Sequence, residues 1–347
     1  MKKIILALAA VAALAACSKT EAEYEQTAEI ALTPVTKNIT KTMTGINPDG
    51  TANNVFPDTE SFNVWAWYKQ LGNNTTIENW QKDQTMNQWY IAEKTFARKT
   101  DGTSWAGTPN AYYWPKLGSL MFAGYYPTSL AGNVSYSFEN HQMSDDGTTV
   151  ETPGLNQMIF DGIYQSSVLA SGYSEDIMYF NMTEKSVNSG PVSVVFKHAL
   201  SWLTVNVKKS TESPKIVIDE IKFTGINNKG TGTVNGTNII SWVTNGTVEE
   251  TVVGNNVQLT TSMTKLMEPL IIPQTMEGNL VITYTVYSSD TEKFTETYTA
   301  ALSTLKTGLD TWEPAKHYVY NIEIGTTEIL IDPTVGGWEN VEVPVAI

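Results

Sequence analysis

Three histidines, His141, His198 and His317, are the first residues to weigh for chemistry, and they stand isolated in the sequence. No HExxH, CxxC or short-spaced histidine pair assembles the ligands of a zinc site. No GxSxG elbow, Walker loop or GxGxxG segment follows a strand and opens a helix. Carboxylates are plentiful but scattered, and SDDG at 144–147 lacks the alternating ligands of an EF-hand loop, so it reads as a turn with solvated acids. Glycosidase chemistry would need two distant acids brought together by folding, and no spacing points to such a pair. His198, in VVFKHALSWLTVNV, lies at a strand edge with no cysteine or histidine near it in sequence, which suits a hydrogen-bonded structural residue. The residue types therefore predict no catalytic centre, no metal site and no cofactor.

Aromatic side chains offer a different chemistry, because flat rings grip sugars by stacking on the apolar faces of the pyranose. VWAW at 64–67 alternates, which places Trp65 and Trp67 on one face of a strand, where they are expected to fill the core. Trp80, Trp89 and Trp105 sit among polar residues and are the candidate glycan contacts.

At the start of the chain Lys2 and Lys3 precede an unbroken apolar run over residues 4–16 that ends at Cys17. Thirteen apolar residues are too short for a helix across the hydrocarbon core, which takes about 20. A basic start, an apolar middle and small residues before a cut make an export signal, expected over residues 1–16. LAAC at 14–17 looks like the lipobox of bacterial lipoproteins, in which cleavage leaves a lipidated cysteine at the new N-terminus. Cys17 is the lone cysteine, so no disulfide is available and stability must come from burial. A formal net charge of −14, with Arg98 as the lone arginine, argues against a nucleic-acid partner, since no basic stripe exists to neutralise phosphates.

Beyond the cysteine, residues 17–29 read as a polar, glutamate-rich tether with too little apolar character to seed a core. The composition then becomes that of an all-β protein, rich in Thr, Val, Ile, Tyr and Asn and punctuated by Gly and Pro. LTVNV at 203–207, LVITYTVYSS at 280–289 and YVYNIEI at 318–324 alternate at period two, and the last predicts Tyr318, Tyr320, Ile322 and Ile324 on one face. A chain of 347 residues is long for one domain, so two sandwiches in tandem are expected. The polar stretch TEKSVNSGP at 183–191 marks the boundary, giving an N-terminal β-sandwich domain over 30–190 and a C-terminal one over 191–326. Residues 327–347 are left over. Their last segment, ENVEVPVAI, places Val341, Val343, Val345 and Ile347 at every second position, the pattern of a strand that needs another sheet to cover it.

Four segments fall in a recognisable order: the LAAC lipobox, NAYYWPKLGSLMFAGYYP at 110–127, VSVVFKHALSWLTVNVK at 192–208 and TWEPAKHYVYNIEI at 311–324. This series resembles the fimbrillin family, the subunits of lipoprotein-derived type V pili, in its minor-fimbrillin-like branch. The resemblance implies two transthyretin-like β-sandwich domains and a subunit that adheres at the cell surface. It implies a lipid-anchored precursor held at the outer membrane through Cys17, from which a trypsin-like protease removes the first strand. A strand from the next pilus subunit would then enter the emptied groove, as in β-strand addition generally. Ile30, Leu32 and Ile39 are the candidate plugs of the removable strand, and Lys37 and Lys41 the candidate cut sites. Well-known members are cut after arginine, so lysine here is a departure. The terminal strand is the candidate donor, with Val341, Val343, Val345 and Ile347 as its plugs and Pro344 as a local defect if it inserts centrally. A monomeric glycan-binding surface lipoprotein is the alternative.

Overall fold

The computed structural model describes residues 28–36, 56, 58–69, 89–100, 102–115, 119–138, 142–143, 150–152, 156–164, 176–186, 191–236, 239–245, 248–253, 256–289, 293–325 and 329–337. Almost all of them are strand or the turns between strands, so the fold is all-β, as the alternation predicts.

A closed barrel comes first in the chain. It is built from β1 (Ala31–Thr36), β2 (Phe62–Lys69), β3 (Trp89–Arg98), β4 (Trp105–Gly107), β5 (Ser119–Tyr126), β10 (Met178–Ser186) and β11 (Val192–His198), in the order β1-β11-β10-β5-β2-β3-β4. A four-stranded sheet comes next, from β6 (Val134–Phe138), β9 (Asn156–Tyr164), β14 (Lys229–Val234) and β15 (Ile240–Thr244), ordered β15-β14-β9-β6. One larger sheet runs β18-β12-β24-β25 with β19 beside β12, from β12 (Ser201–Lys209), β18 (Thr264–Met267), β19 (Leu270–Ile271), β24 (Lys316–Ile324) and β25 (Ile329–Gly337). Its counterpart runs β16-β13-β21-β22 with β17 beside β13, from β13 (Lys215–Asn227), β16 (Val248–Val253), β17 (Val257–Gln258), β21 (Asn279–Tyr287) and β22 (Lys293–Ala301). Two short ribbons complete the set: β7 (Gln142–Met143) with β8 (Val150–Thr152), and β20 (Gln274–Thr275) with β23 (Thr311–Trp312).

Alternation in the sequence becomes a buried face in each sheet. In β11, Val192, Val194, Phe196 and His198 are buried while Ser193 and Val195 are exposed. In β24, Tyr318, Tyr320, Ile322 and Ile324 are buried, the face that the sequence predicts. The two larger sheets close over one core that holds Leu203, Val205, Phe223, Ile282, Trp312 and Tyr320. The barrel interior holds a second, led by Phe56, Phe62, Phe96, Phe180 and Phe196. Several of these rings meet edge to face, with Phe180 and Phe196 centroids 5.0 Å apart at 83°, an arrangement favoured by the quadrupole of the ring, while Phe56–Phe196 and Phe62–Phe96 stack.

A third core joins the two halves of the chain. Trp65 and Trp67 face it from β2, as expected, and meet Met158 and Phe160 of β9, Val234 and Ile240 of the β14–β15 hairpin, and Leu200, Trp202 and Leu270. β14 pairs with β9 from Lys229↔Tyr164 to Val234↔Met158, so a hairpin from late in the chain completes a sheet begun early.

Two expectations about boundaries need correction. The division at 190/191 cuts through the barrel, because β11 pairs with β1 from Leu32↔Val192 to Thr36↔Phe196 and with β10 at Met178↔His198. The polar stretch TEKSVNSGP is no linker: Thr183–Ser186 ends β10 opposite β5, and the next strand in the chain, β11, is a neighbour of β10 in the same barrel. A hairpin connection and a domain linker share the same polar Gly-Pro composition, which is why composition misplaced the boundary; sheet membership changes between His198 and Ser201. Within residues 327–347, β25 is not surplus. It pairs with β24 along its length, from Ile324↔Ile329 to Lys316↔Gly337, with Pro333 opposite Tyr320. An edge strand bonded on one flank tolerates a residue that lacks an N–H. Residues 338–347, with Val341, Val343, Pro344, Val345 and Ile347, lie outside the described residues.

The β12–β24 pairing carries a titratable contact. Trp202 and His317 are register partners whose rings stack at 3.7 Å and 9°, with Thr204 Oγ1 2.9 Å from His317 Nε2. Burial, helped by the charge of Lys265, lowers the imidazole pKa from 6.5 to about 4. The unfolded chain therefore takes up this proton first as pH falls, and the native state loses stability between about pH 6.5 and 4. Urea midpoints for wild type and His317→Gln should draw together as pH falls from 7.5 to 4.5; a constant gap between them would contradict the assignment.

Candidate functional site

The segment around β1 is the one element that joins the barrel from the far N-terminal side, and it is built as an insert. ALTPVT carries Leu32 and Pro34 at alternate positions after Ile30, and all three are buried, while Thr33 and Val35 are half-buried. Ile30 and Leu32 have no exposed surface and belong to the barrel core with Phe56, Trp105, Val192 and Phe196.

Both flanks of the insert are hydrogen-bonded. On one side it runs parallel to β11 from Leu32↔Val192 to Thr36↔Phe196, and on the other antiparallel to β4 at Ala31↔Ala106 and Leu32↔Trp105. Upstream, the aromatic segment NAYYWP holds the entry to the groove: Ile30 N–H donates to Tyr112 O at 2.7 Å and Trp114 N–H donates to Ala28 O at 2.9 Å. The Lys99 ammonium pairs with the Glu29 carboxylate, and Tyr90 OH donates to Tyr113 O. Past Leu32 the β4 flank ends, so Pro34 sits where β11 is the registered neighbour.

The walls are aromatic. Phe56 lies 5.3 Å from Phe196 in a stack and 5.8 Å from Trp105 edge-on. Tyr112 stacks on Phe96 at 6.5 Å and 10°. Gly107 makes room for it, since a Cβ there would come within 2.5 Å of the Tyr112 ring. The sequence marked NAYYWP as a motif but not as a clamp; Gly107 was the signal available. Each fully buried Ile or Leu contributes roughly 1.5–3 kcal/mol, and each backbone hydrogen bond about 1 kcal/mol.

Trp105 requires a correction. It is 3% exposed and its indole N–H donates to Glu60 O at 2.9 Å, so no ring face is open to a glycan. Polar neighbours in sequence misled the reading, because the alternate side of a short strand can be core. Trp89 is 45% exposed, with one side of its ring against Trp67 at a centroid distance of 4.1 Å. Cys17, Lys37, Lys41 and Trp80 lie outside the described residues, although Thr36, the last residue of β1, directly precedes Lys37. His198 is buried, with Nδ1 2.7 Å from Asp176 Oδ2, a partner too distant in sequence to foresee.

The model of the fimbrillin-like family matches residues 51–338. No curated protein sequence matches the chain. Among solved structures, a fimbrial protein from Bacteroides vulgatus ATCC 8482 is similar, with a TM-score of 0.58 at 14% identity, covering 90% of this chain and all of that one. A candidate cell adhesion protein from Bacteroides uniformis ATCC 8492 gives a TM-score of 0.50 at 16% identity, covering 89% of this chain and 98% of its own.

Because Leu32 fills the groove without exposure, Leu32→Ala should lower unfolding free energy by about 2–5 kcal/mol. Denaturant unfolding followed by tryptophan fluorescence reads this directly, and a loss below about 1 kcal/mol would show that the groove holds the strand loosely.

Proposed function

The chain belongs to the fimbrillin-like family, which makes it a fimbrial, surface-adhesion subunit, and from that premise we propose that it polymerises by proteolysis-triggered β-strand exchange after export as a lipoprotein precursor. In this reading the signal over residues 1–16 is removed, Cys17 is lipidated, and the precursor is held at the outer membrane. Cleavage after Lys37 or Lys41 then severs β1 from the rest of the chain. The observation that carries the proposal is the placement of β1: a strand with fully buried Ile30 and Leu32, hydrogen-bonded on both flanks, whose last residue Thr36 abuts Lys37.

Loss of β1 would bare the edges of β4 and β11 along an apolar groove, a state that cannot persist in water. A donor strand restores the same hydrogen bonds and fills the same positions with alternate side chains. The terminal segment 338–347 is the proposed donor, with alternate side chains among Val341, Val343, Val345 and Ile347 taking the places that Ile30, Leu32 and Pro34 vacate. β25 fits the arrangement, since it anchors residues 329–337 to β24 and leaves the last ten residues to reach roughly 30 Å when extended. The partners are other pilus subunits, and the site of action is the cell-surface fimbrium.

A second reading, a monomeric glycan-binding surface lipoprotein, keeps the support of Trp89, whose ring is half exposed. It predicts saturable polysaccharide binding that is lost in Trp89→Ala and is indifferent to trypsin.

Trace trypsin acting on precursor that lacks residues 1–16 should give a ladder of polymers on a gel and a new N-terminus at Asn38 or Thr42. The double variant Lys37→Gln, Lys41→Gln should stay monomeric, and deletion of residues 340–347 should leave a folded subunit that is cut but adds to no polymer. Ladders that form in either variant would refute strand exchange as described.

A further inference from the structure

Between the β14–β15 hairpin and the β20–β23 ribbon lies a cavity of about 310 Å³, at the small end of the roughly 300–1,000 Å³ of small-molecule sites. We propose that it is a binding subsite for one unit of a neutral, hydroxyl-rich saccharide, with Trp242 as its platform. This proposal rests on neither Trp89 nor the strand-exchange reading.

Trp242 is fixed before any ligand arrives. Its indole N–H donates to Ala199 O at 2.8 Å. One side of the ring lies against a glycine strip in β14: a Cβ at Gly232, its register partner, would come within 2.9 Å of ring carbons, and one at Gly230 within 3.5 Å. KGTGTV thus reads as a strand that gives up two side chains to seat an indole. The half-buried ring is left to line the cavity. The C–H faces of a pyranose carry partial positive charge and suit the negative face of such a ring. A platform locked in advance spares the ordering cost of binding.

The polar lining selects the ligand. Gln274 is held by Asn227, whose N–H it accepts at 2.7 Å and whose carbonyl it bonds at 2.7 Å. Ser241, Thr275 and Thr311 add hydroxyls, and the exposed carboxylates of Glu277 and Glu313 stand at the rim, with no ion pair among the described residues. Carboxylates accept from sugar hydroxyls, which are good donors. No lysine or arginine lines the cavity among the described residues, while Glu277 and Glu313 do, so an anion would be disfavoured. An apolar ligand would strip water from the hydroxyls without replacing their hydrogen bonds. No group of three or more acidic, histidine or cysteine side chains converges here among the described residues, which disfavours a metal ion.

Calorimetric titration of the mature protein with mannohexaose, laminarihexaose, chitohexaose and galactohexaose should give saturable binding for at least one of them. Thr275→Trp adds bulk at an exposed rim position and should weaken that binding by about tenfold or more, with Glu277→Gln weakening it less. The proposal is overturned if none of the four saturates, or if Thr275→Trp, shown folded by circular dichroism, binds as wild type. It is equally overturned if only calcium chloride or lysine methyl ester produces a heat that Thr275→Trp abolishes.

Discussion

A buried sheet edge must find hydrogen-bond partners, and the barrel satisfies that requirement with a strand taken from near the start of the chain. β1 lies parallel to β11 and antiparallel to β4, and without it the ring is open between them. The barrel core, from Phe56 to Phe196, assumes that Ile30 and Leu32 are present. The other pairings of the barrel are antiparallel, and several join strands near in sequence, whereas β1 meets β11 across the whole domain. It is therefore the element whose placement costs the most loop-closure entropy and whose contacts are least tied to its chain neighbours.

Polar groups on the outer face of the barrel, on the side of Tyr125 and the third core, tie neighbouring strands of its frame together. Asn63 donates to Tyr125 Oη at 2.7 Å and accepts from Thr95 Oγ1 at 2.9 Å, while Tyr125 OH donates to Glu93 Oε1 at 2.5 Å. Burial and the Glu93 bond push the Tyr125 hydroxyl well above its usual pKa, so it stays a donor. These bonds tie β2, β3 and β5 on the side away from β1. The shared core of Trp65, Trp67, Phe160 and Trp202 braces the same strands against the sheet completed by β14 and β15. Assembly and any sugar binding at Trp242 would thus draw on separate edges of one braced body.

Much of this was legible in the sequence, and the misses share a cause. Alternation identified β12, β21 and β24, and it placed Tyr318, Tyr320, Ile322 and Ile324 on the inner face. It also put Trp65 and Trp67 together. Composition failed where one chemistry serves two structures: TEKSVNSGP begins within β10 and the next strand is β11 of the same barrel, and Trp105 is core despite polar neighbours. Residues 327–347 were read as left over, yet Pro333 and Gly336 lie in a continuous edge strand, because an edge forgives a missing donor. NAYYWP was noticed as a motif, but its role as a clamp on residues 28–30 depends on backbone groups that sequence does not show.

The sequence by itself determined the all-β class and the buried face of strands such as β24 and β2, because a period of two is a local property written residue by residue. Tertiary structure alone decided the partners. That β1 lies beside β11, that β14 joins β9, and that Trp242 rests on Gly230 and Gly232 are matters of register between segments far apart in the chain. Alternation states that a strand has an inner face, but any sheet of matching pattern can cover it, and the choice is made by the sum of closure entropy, packing and hydrogen bonds over the whole fold.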